Sequence, residues 1–209
     1  MLDNEDLVRT AQRHGLLSER VIEAMRAVDR AWFVPDGTPP VEIYADRPIQ
    51  IGSGQTTSQP SLIAAMIDAL GLSARATVLE VGTGLGYQTA LLSRLASRVV
   101  SIELHSSLVW QAFERLSRAG IENVTVHCAN AWKSLPDPGP YEGIVVSAAA
   151  DSIPGPLSRS LSEGGRMVIP LGPGGNEIVT VYEKRAGRLS RIQKLTGARF
   201  VPLCHDNGS

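Results

Sequence analysis

Apolar residues change their spacing repeatedly along this chain, and each change marks an element. Val21, Ile22, Met25 and Val28 recur at helical spacing, which with the preceding stretch predicts two short helices over 4–14 and 18–29, the second capped by Ser18. Residues 32–54 are irregular and rich in Pro and Gly. Leu62, Ile63, Met66, Ile67 and Leu70 then give one apolar face to a helix that opens at Pro60 and stops at Gly71. Val78, Leu79 and Val81 form a short run with β-branched members, as a buried parallel strand does. Helical spacing returns at Ala90, Leu91, Leu92 and Leu95, and a second strand over 99–102 ends at Glu103. Beyond it the pattern predicts a helix over 108–119 closed by Gly120, strands at 123–128 and 143–147, and a helix over 153–161 ending at Gly164-Gly165. Strands at 167–171, 178–182 and 189–195 complete the chain, the last two hairpin-like. Strand–helix alternation followed by paired strands predicts an α/β fold. The expected architecture is a single domain over 1–209, with a helical and loop region at 1–75 and a sheet core at 76–209. That core is a doubly wound, mostly parallel sheet with helices on both faces and antiparallel C-terminal strands.

The strand–turn–helix–strand unit at 76–103 carries the first chemical signal. Gly82, Gly84 and Gly86 lie between the strand and the helix, and the second strand ends on a carboxylate, which is the layout of a nucleotide-binding βαβ unit. Glycines permit backbone angles barred to other residues and let a ligand lie against the main chain. A terminal acid can accept bonds from both hydroxyls of a ribose. A dinucleotide fingerprint, G-x-G-x-x-G, would place its third glycine at position 87, which is Tyr87. A nicotinamide oxidoreductase is therefore disfavoured. The spacing is instead G-x-G-x-G, with Glu80 two residues ahead.

Composition narrows the partners. The 209 residues are 43% hydrophobic with a net charge of −1, and no basic block marks a nucleic-acid binder. The polar, acidic start and the lack of an apolar run of roughly 20 residues predict a chain with no signal peptide or membrane span, cytoplasmic by default. Cys128 and Cys204 make neither a disulfide framework nor a metal site, and Cys128 is expected to be a packed thiol inside its strand. The four histidines show no ligand spacing, so no metal is expected.

A second signal precedes the first. Residues 49–60 read I-Q-I-G-S-G-Q-T-T-S-Q-P, a hydroxyl- and glycine-rich loop feeding a helix N-terminus. Such an end offers free N–H groups and a positive dipole suited to a carboxylate, and Thr56, Thr57 and Ser58 add hydroxyls.

The E-x-G-x-G-x-G motif resembles the first motif of class I S-adenosylmethionine-dependent methyltransferases, and the whole chain is similar to the protein-L-isoaspartate O-methyltransferase family. The matching segments are Phe33-Val34-Pro35, Tyr44-Ala45-Asp46, Gly52-x-Gly54-Gln55-Thr56-Thr57-Ser58-Gln59-Pro60, Leu79 to Tyr87, Ser147-Ala148-Ala149-Ala150, Ile169-Pro170-Leu171-Gly172 and Arg199-Phe200-Val201-Pro202-Leu203. The resemblance implies a Rossmann-like methyltransferase fold and S-adenosyl-L-methionine as methyl donor, with S-adenosyl-L-homocysteine as product. The implied acceptor is an isoaspartyl or aspartyl residue of a peptide or protein, methylated by a monomeric enzyme that serves protein repair. It implies Ser58 as the catalytic hydroxyl contacting the acceptor carboxylate. Gln55, Thr56, Thr57 and Ser58 lie beside the cofactor, with Glu80 near its methionine part. Gly82, Thr83, Gly84 and Gly86 line it, and Glu103 holds its ribose. Thr57, Ser58, Val201, Pro202 and Leu203 contact the peptide.

One segment departs from the family. Ala129-Asn130-Ala131 stands where Gly-Asp-Gly is usual, so Asn130, with Ala131, is expected to meet the adenine through a neutral amide oxygen. The departure leaves a second acceptor open: one aspartate of a ribosomally made, cross-linked peptide, converted to an aspartimide. A non-catalytic adenosine-ligand-binding protein is a third reading, opposed by the retained Ser58 loop.

Overall fold

The computed structural model describes residues 2–173 and 175–205. Its N-terminal part is helical. In α1 (Asn4–His14) the Asp3 and Asp6 side chains each accept the other's backbone N–H, a reciprocal cap. α2 (Glu19–Ala27) stops before Val28, whose backbone has turned extended. A 3-10 turn (Arg30–Phe33), α3 (Pro40–Ile43) and a small hairpin of β1 (Gln50–Gly52) and β2 (Gln55–Thr56) fill the stretch that the sequence leaves irregular. α4 (Pro60–Leu70) ends at Gly71, which adopts a left-handed φ of 62°.

The sheet comprises β3 (Thr77–Val81), β4 (Arg98–Glu103), β5 (Val124–Cys128), β6 (Tyr141–Val146), β7 (Leu161–Leu171), β8 (Glu177–Arg185) and β9 (Arg188–Ala198) in the order β5-β4-β3-β6-β7-β8-β9. The strands from β5 to β7 run parallel, and β8 and β9 fold back antiparallel. α5 (Tyr87–Leu95) and α6 (Ser106–Arg118) carry the chain outward from β3 through β4 to β5, and the chain then returns to the other side of β3 as β6. The strand order thus reverses between β3 and β6, and ligands of such sheets bind outside the carboxyl ends at that reversal.

Burial on both faces explains the continuous apolar strands. Val78, Val99, Val145 and Val168 point into a core shared with α2, α4, α5 and α6. Their neighbours Leu79, Val81, Val100, Ile144 and Met167 point into a second core. The second face is covered differently from the expectation. α7 (Gly155–Ser160) is its helix, and Trp132, Leu135 and Leu203 from loops pack over the rest. Two other readings need correction. Gly164 and Gly165 do not end a helix but lie inside β7, where the register with β6 shifts between Tyr141 and Gly143; a Cβ on Gly165 would meet Ser162 O at 2.9 Å. Cys128 is not a packed thiol, because β5 is an edge strand and its side chain is exposed.

Candidate active site

The carboxyl ends of β3, β4 and β6 open into a cleft, the place where ligands of such sheets bind. Its floor is the glycine turn. Gly82 and Gly84 line it with φ of 95° and 56°, and a Cβ on Gly82 would sit 3.3 Å from that of Ser147. Gly86 does not line the cleft; it turns the chain into α5 against Leu116.

Three acids and amides hold this floor. Glu103 is buried at the end of β4, and its two carboxylate oxygens accept the backbone N–H groups of Gly84 and His105, each at 3.0 Å. Each oxygen keeps acceptor capacity for a ligand hydroxyl. Glu80 is fully buried behind the turn and is not a wall of the cleft. Its Oε2 accepts the Thr89 and Ser101 hydroxyls, and Ser101 Oγ lies 2.5 Å from Thr83 Oγ1. With the Ser101 proton directed at Glu80, Thr83 donates to Ser101. Burial pushes the Glu80 carboxyl up to about 7. Gln88 lines the cleft, donates to Ser147 Oγ at 2.9 Å, and leaves a buried Oε1 without a donor, as does Glu80 with its Oε1. The orphan acceptor of Gln88, on the cleft wall beside the glycine turn, fits a ligand bearing an ammonium group.

The opposite wall is the loop into α4. Thr57 N donates to Ile49 O at 2.8 Å and Thr57 Oγ1 receives Ile49 N at 3.0 Å, so the loop is pinned across its base. Two of the first α4 positions offer no free N–H: Pro60 has none and Ser61 N donates to Asp46 at 2.8 Å, while Ile63 N returns to Gln59 O. Ser58, half-buried on the cleft wall, keeps a hydroxyl that bonds to no other described side chain or backbone group.

A family model for protein-L-isoaspartate(D-aspartate) O-methyltransferases matches residues 2–208. The chain belongs to this family. A protein-L-isoaspartate O-methyltransferase 2 of Nitrosococcus oceani is 46% identical over 90% of this chain and 85% of its own. One of Anaeromyxobacter dehalogenans is 45% identical over 91% and 92%. The fold matches, at a TM-score of 0.87 and 23% identity, a Plasmodium falciparum structure assigned to the same enzymes in complex with S-adenosyl-L-homocysteine, over 99% of this chain and 100% of that one.

In this family member the cleft gathers most residues singled out from the sequence: Gln55, Thr56, Thr57, Ser58, Gly82, Thr83, Gly84, Glu103, Asn130, Ala131, Val201, Pro202 and Leu203 all line it. Asn130, besides lining the cleft, is tied to the C-terminal segment. Its amide nitrogen donates to the carbonyls of Cys204 and His205 at 3.2 and 3.1 Å, and its amide oxygen accepts Trp132 N at 2.9 Å. Trp132 adds Nε1 to Leu203 O at 3.0 Å and stacks on the His205 ring at 4.0 Å. Ala149 pairs with the same segment through Val201 O and Leu203 N. Residues 201–204 are thereby laid along the cleft. Phe33, Ile51, Tyr87, Gln88, His105 and Ser147 also line it and were missed as site residues. Gln88 and Tyr87 had one legible signal, a polar pair opening a helix directly behind the glycine turn.

Proposed function

We propose that this chain is an S-adenosyl-L-methionine-dependent carboxyl O-methyltransferase acting on L-isoaspartyl residues of peptides or proteins, the ester then collapsing to a succinimide. The observation that carries the reading is the free Ser58 hydroxyl facing the same cleft as the glycine turn and Glu103.

S-adenosyl-L-methionine, when bound, supplies a methyl group already activated by its sulfonium. Glu103 would hold the ribose, Gly82 to Gly84 would take the chain of the ligand against their backbone, and the orphan acceptor of Gln88 would receive its ammonium group. The acceptor needs no strong base, since a carboxylate with a pKa near 4 is ionised at neutral pH. What remains for the protein is orientation and exclusion of water, which can supply roughly 7–11 kcal/mol. Ser58 would donate to one carboxylate oxygen and leave the other free to react. Val201, Pro202 and Leu203 would close over the peptide. The reading carries with it a monomer working in the cytoplasm.

Mass spectrometry with isotopically labelled cofactor and paired aspartyl and isoaspartyl peptides tests the proposal. Label on the isoaspartyl peptide, or its loss of water, is the expected result. Label on neither peptide refutes it, and reaction with the aspartyl peptide alone moves the chain to a tailoring role. Ser58→Ala should lower turnover at least tenfold with the cofactor Kd within twofold.

A further inference from the structure

Below the Ser58 loop lies a cation that the reaction scheme leaves unused. Arg30 is 1% exposed, and its guanidinium donates to Ile43 O (2.8 Å), Ala45 O (2.7 Å), Arg47 O (2.9 Å) and Thr57 Oγ1 (3.2 Å). These partners are neutral. The two nearby acids are engaged elsewhere: Asp29 accepts from Tyr44 OH and Ala31 N, and Asp46 accepts from Gln59 Nε2 and Ser61 N and faces His14. Among the described residues no carboxylate forms an ion pair with Arg30. Burial lowers its pKa only to about 10, so it stays charged at neutral pH. A buried guanidinium without an acid is costly to keep. A neutral side chain could staple backbone carbonyls only through fewer donors, whereas the guanidinium both staples and charges. The residue it reaches, Thr57, lines the cleft next to Ser58.

We propose that Arg30 is the positioning residue of the acceptor subsite. It locks Thr57, and through it Ser58, while its charge, paired directly by no described carboxylate and only partly offset by Asp46, draws the acceptor carboxylate to the Ser58 wall in a low-dielectric setting. The inference rests on the carboxyl-methyltransferase reading. It accounts for the sequence segment Tyr44-Ala45-Asp46 as a bracket: Tyr44 donates to Asp29, Ala45 accepts from the guanidinium, and Asp46 caps α4.

The test compares Arg30→Lys, Arg30→Met and Thr57→Val in steady-state kinetics on an isoaspartyl peptide, with the S-adenosyl-L-homocysteine Kd measured by calorimetry. Arg30→Met should raise the peptide KM at least tenfold with the Kd within twofold. Arg30→Lys, which keeps the charge without the fork, should hold KM within about threefold while kcat falls. Thr57→Val, which keeps the guanidinium and removes its contact with the loop, should lower kcat and spare KM. Equal losses in the Lys and Met variants, or parallel loss of ligand affinity, would reduce Arg30 to a structural staple and overturn the proposal. If Arg30→Met does not fold, the Lys and Val variants still decide it through the opposite case, a raised KM in both. Wild-type protein that binds the ligand but methylates no isoaspartyl peptide would instead remove the functional reading on which this rests.

Discussion

The amide nitrogen of Asn130 lies 3.1 Å from the carbonyl oxygen of His205, a bond that an aspartate at this position could not donate. Asn130→Asp should therefore free the C-terminal segment. The carboxylate would face the Cys204 and His205 carbonyls as a like-poled acceptor, and each of the two part-buried bonds lost costs about 0.5–1.5 kcal/mol. Hydrogen exchange should show faster exchange at residues 201–205 in the variant, with the sheet core unchanged. Protection equal to that of the parent protein would mean that Trp132 and Ala149 alone hold the segment.

Glu80 links stability to pH in a stated direction. Its folded pKa is raised to about 7 by burial, above the ordinary value of 4.5. Protonated Glu80 therefore favours the folded state fully below about pH 4.5, and that contribution is lost as pH rises through 7. Glu80→Gln cannot ionise, and one amide oxygen can still accept both the Thr89 and Ser101 hydroxyls that now share Oε2. The variant, free of ligand, should gain stability relative to the parent between pH 5 and pH 8, by at most ~3 kcal/mol. Parallel Tm–pH curves for the two proteins would contradict this.

Two glycines of the turn should differ in their tolerance of alanine. Gly82 has φ 95°, outside the left-handed basin, and its Cβ would press on Ser147 at 3.3 Å. Gly84 has φ 56°, within that basin, and its Cβ would meet the terminal methyl of Ile51, a movable group, at 3.1 Å. Gly82→Ala should cost about 1–3 kcal/mol and lower Tm by roughly 2–10 °C, with Gly84→Ala costing less. The reverse order in calorimetric melting would show that Ile51 cannot yield.

The strands, the glycine turn and the Ser58 loop were legible because each is written in neighbouring residues. Val78, Leu79 and Val81 put apolar side chains on both faces, and the glycines sit where φ is positive. What escaped depends on partners distant in sequence. Nothing near Arg30 announces that it will reach Thr57, 27 positions on. Asp46 takes an N–H of α4 that local reading leaves free, and Asn130 finds its acceptors 74 and 75 positions away. The exposure of Cys128 follows from strand order, which hydrophobic spacing does not encode.

Glu103 gives the sharpest separation of binding from transfer. Its carboxylate accepts N–H groups from Gly84 on one oxygen and His105 on the other, so it ties the glycine turn to the start of α6 as well as facing the cleft. Glu103→Gln keeps the shape but points an NH2 group at one of those donors, leaving a part-buried N–H unpaired at a cost of up to about 1–3 kcal/mol. It also replaces an ionised acceptor for ligand hydroxyls by a neutral one, and bonds to charged groups are roughly twice as strong. The cofactor Kd should weaken at least tenfold by calorimetry, with Tm falling together with it. Ser58→Ala should leave both unchanged and reduce turnover alone. A Glu103→Gln protein with parental affinity would show that the ribose is held elsewhere in the cleft.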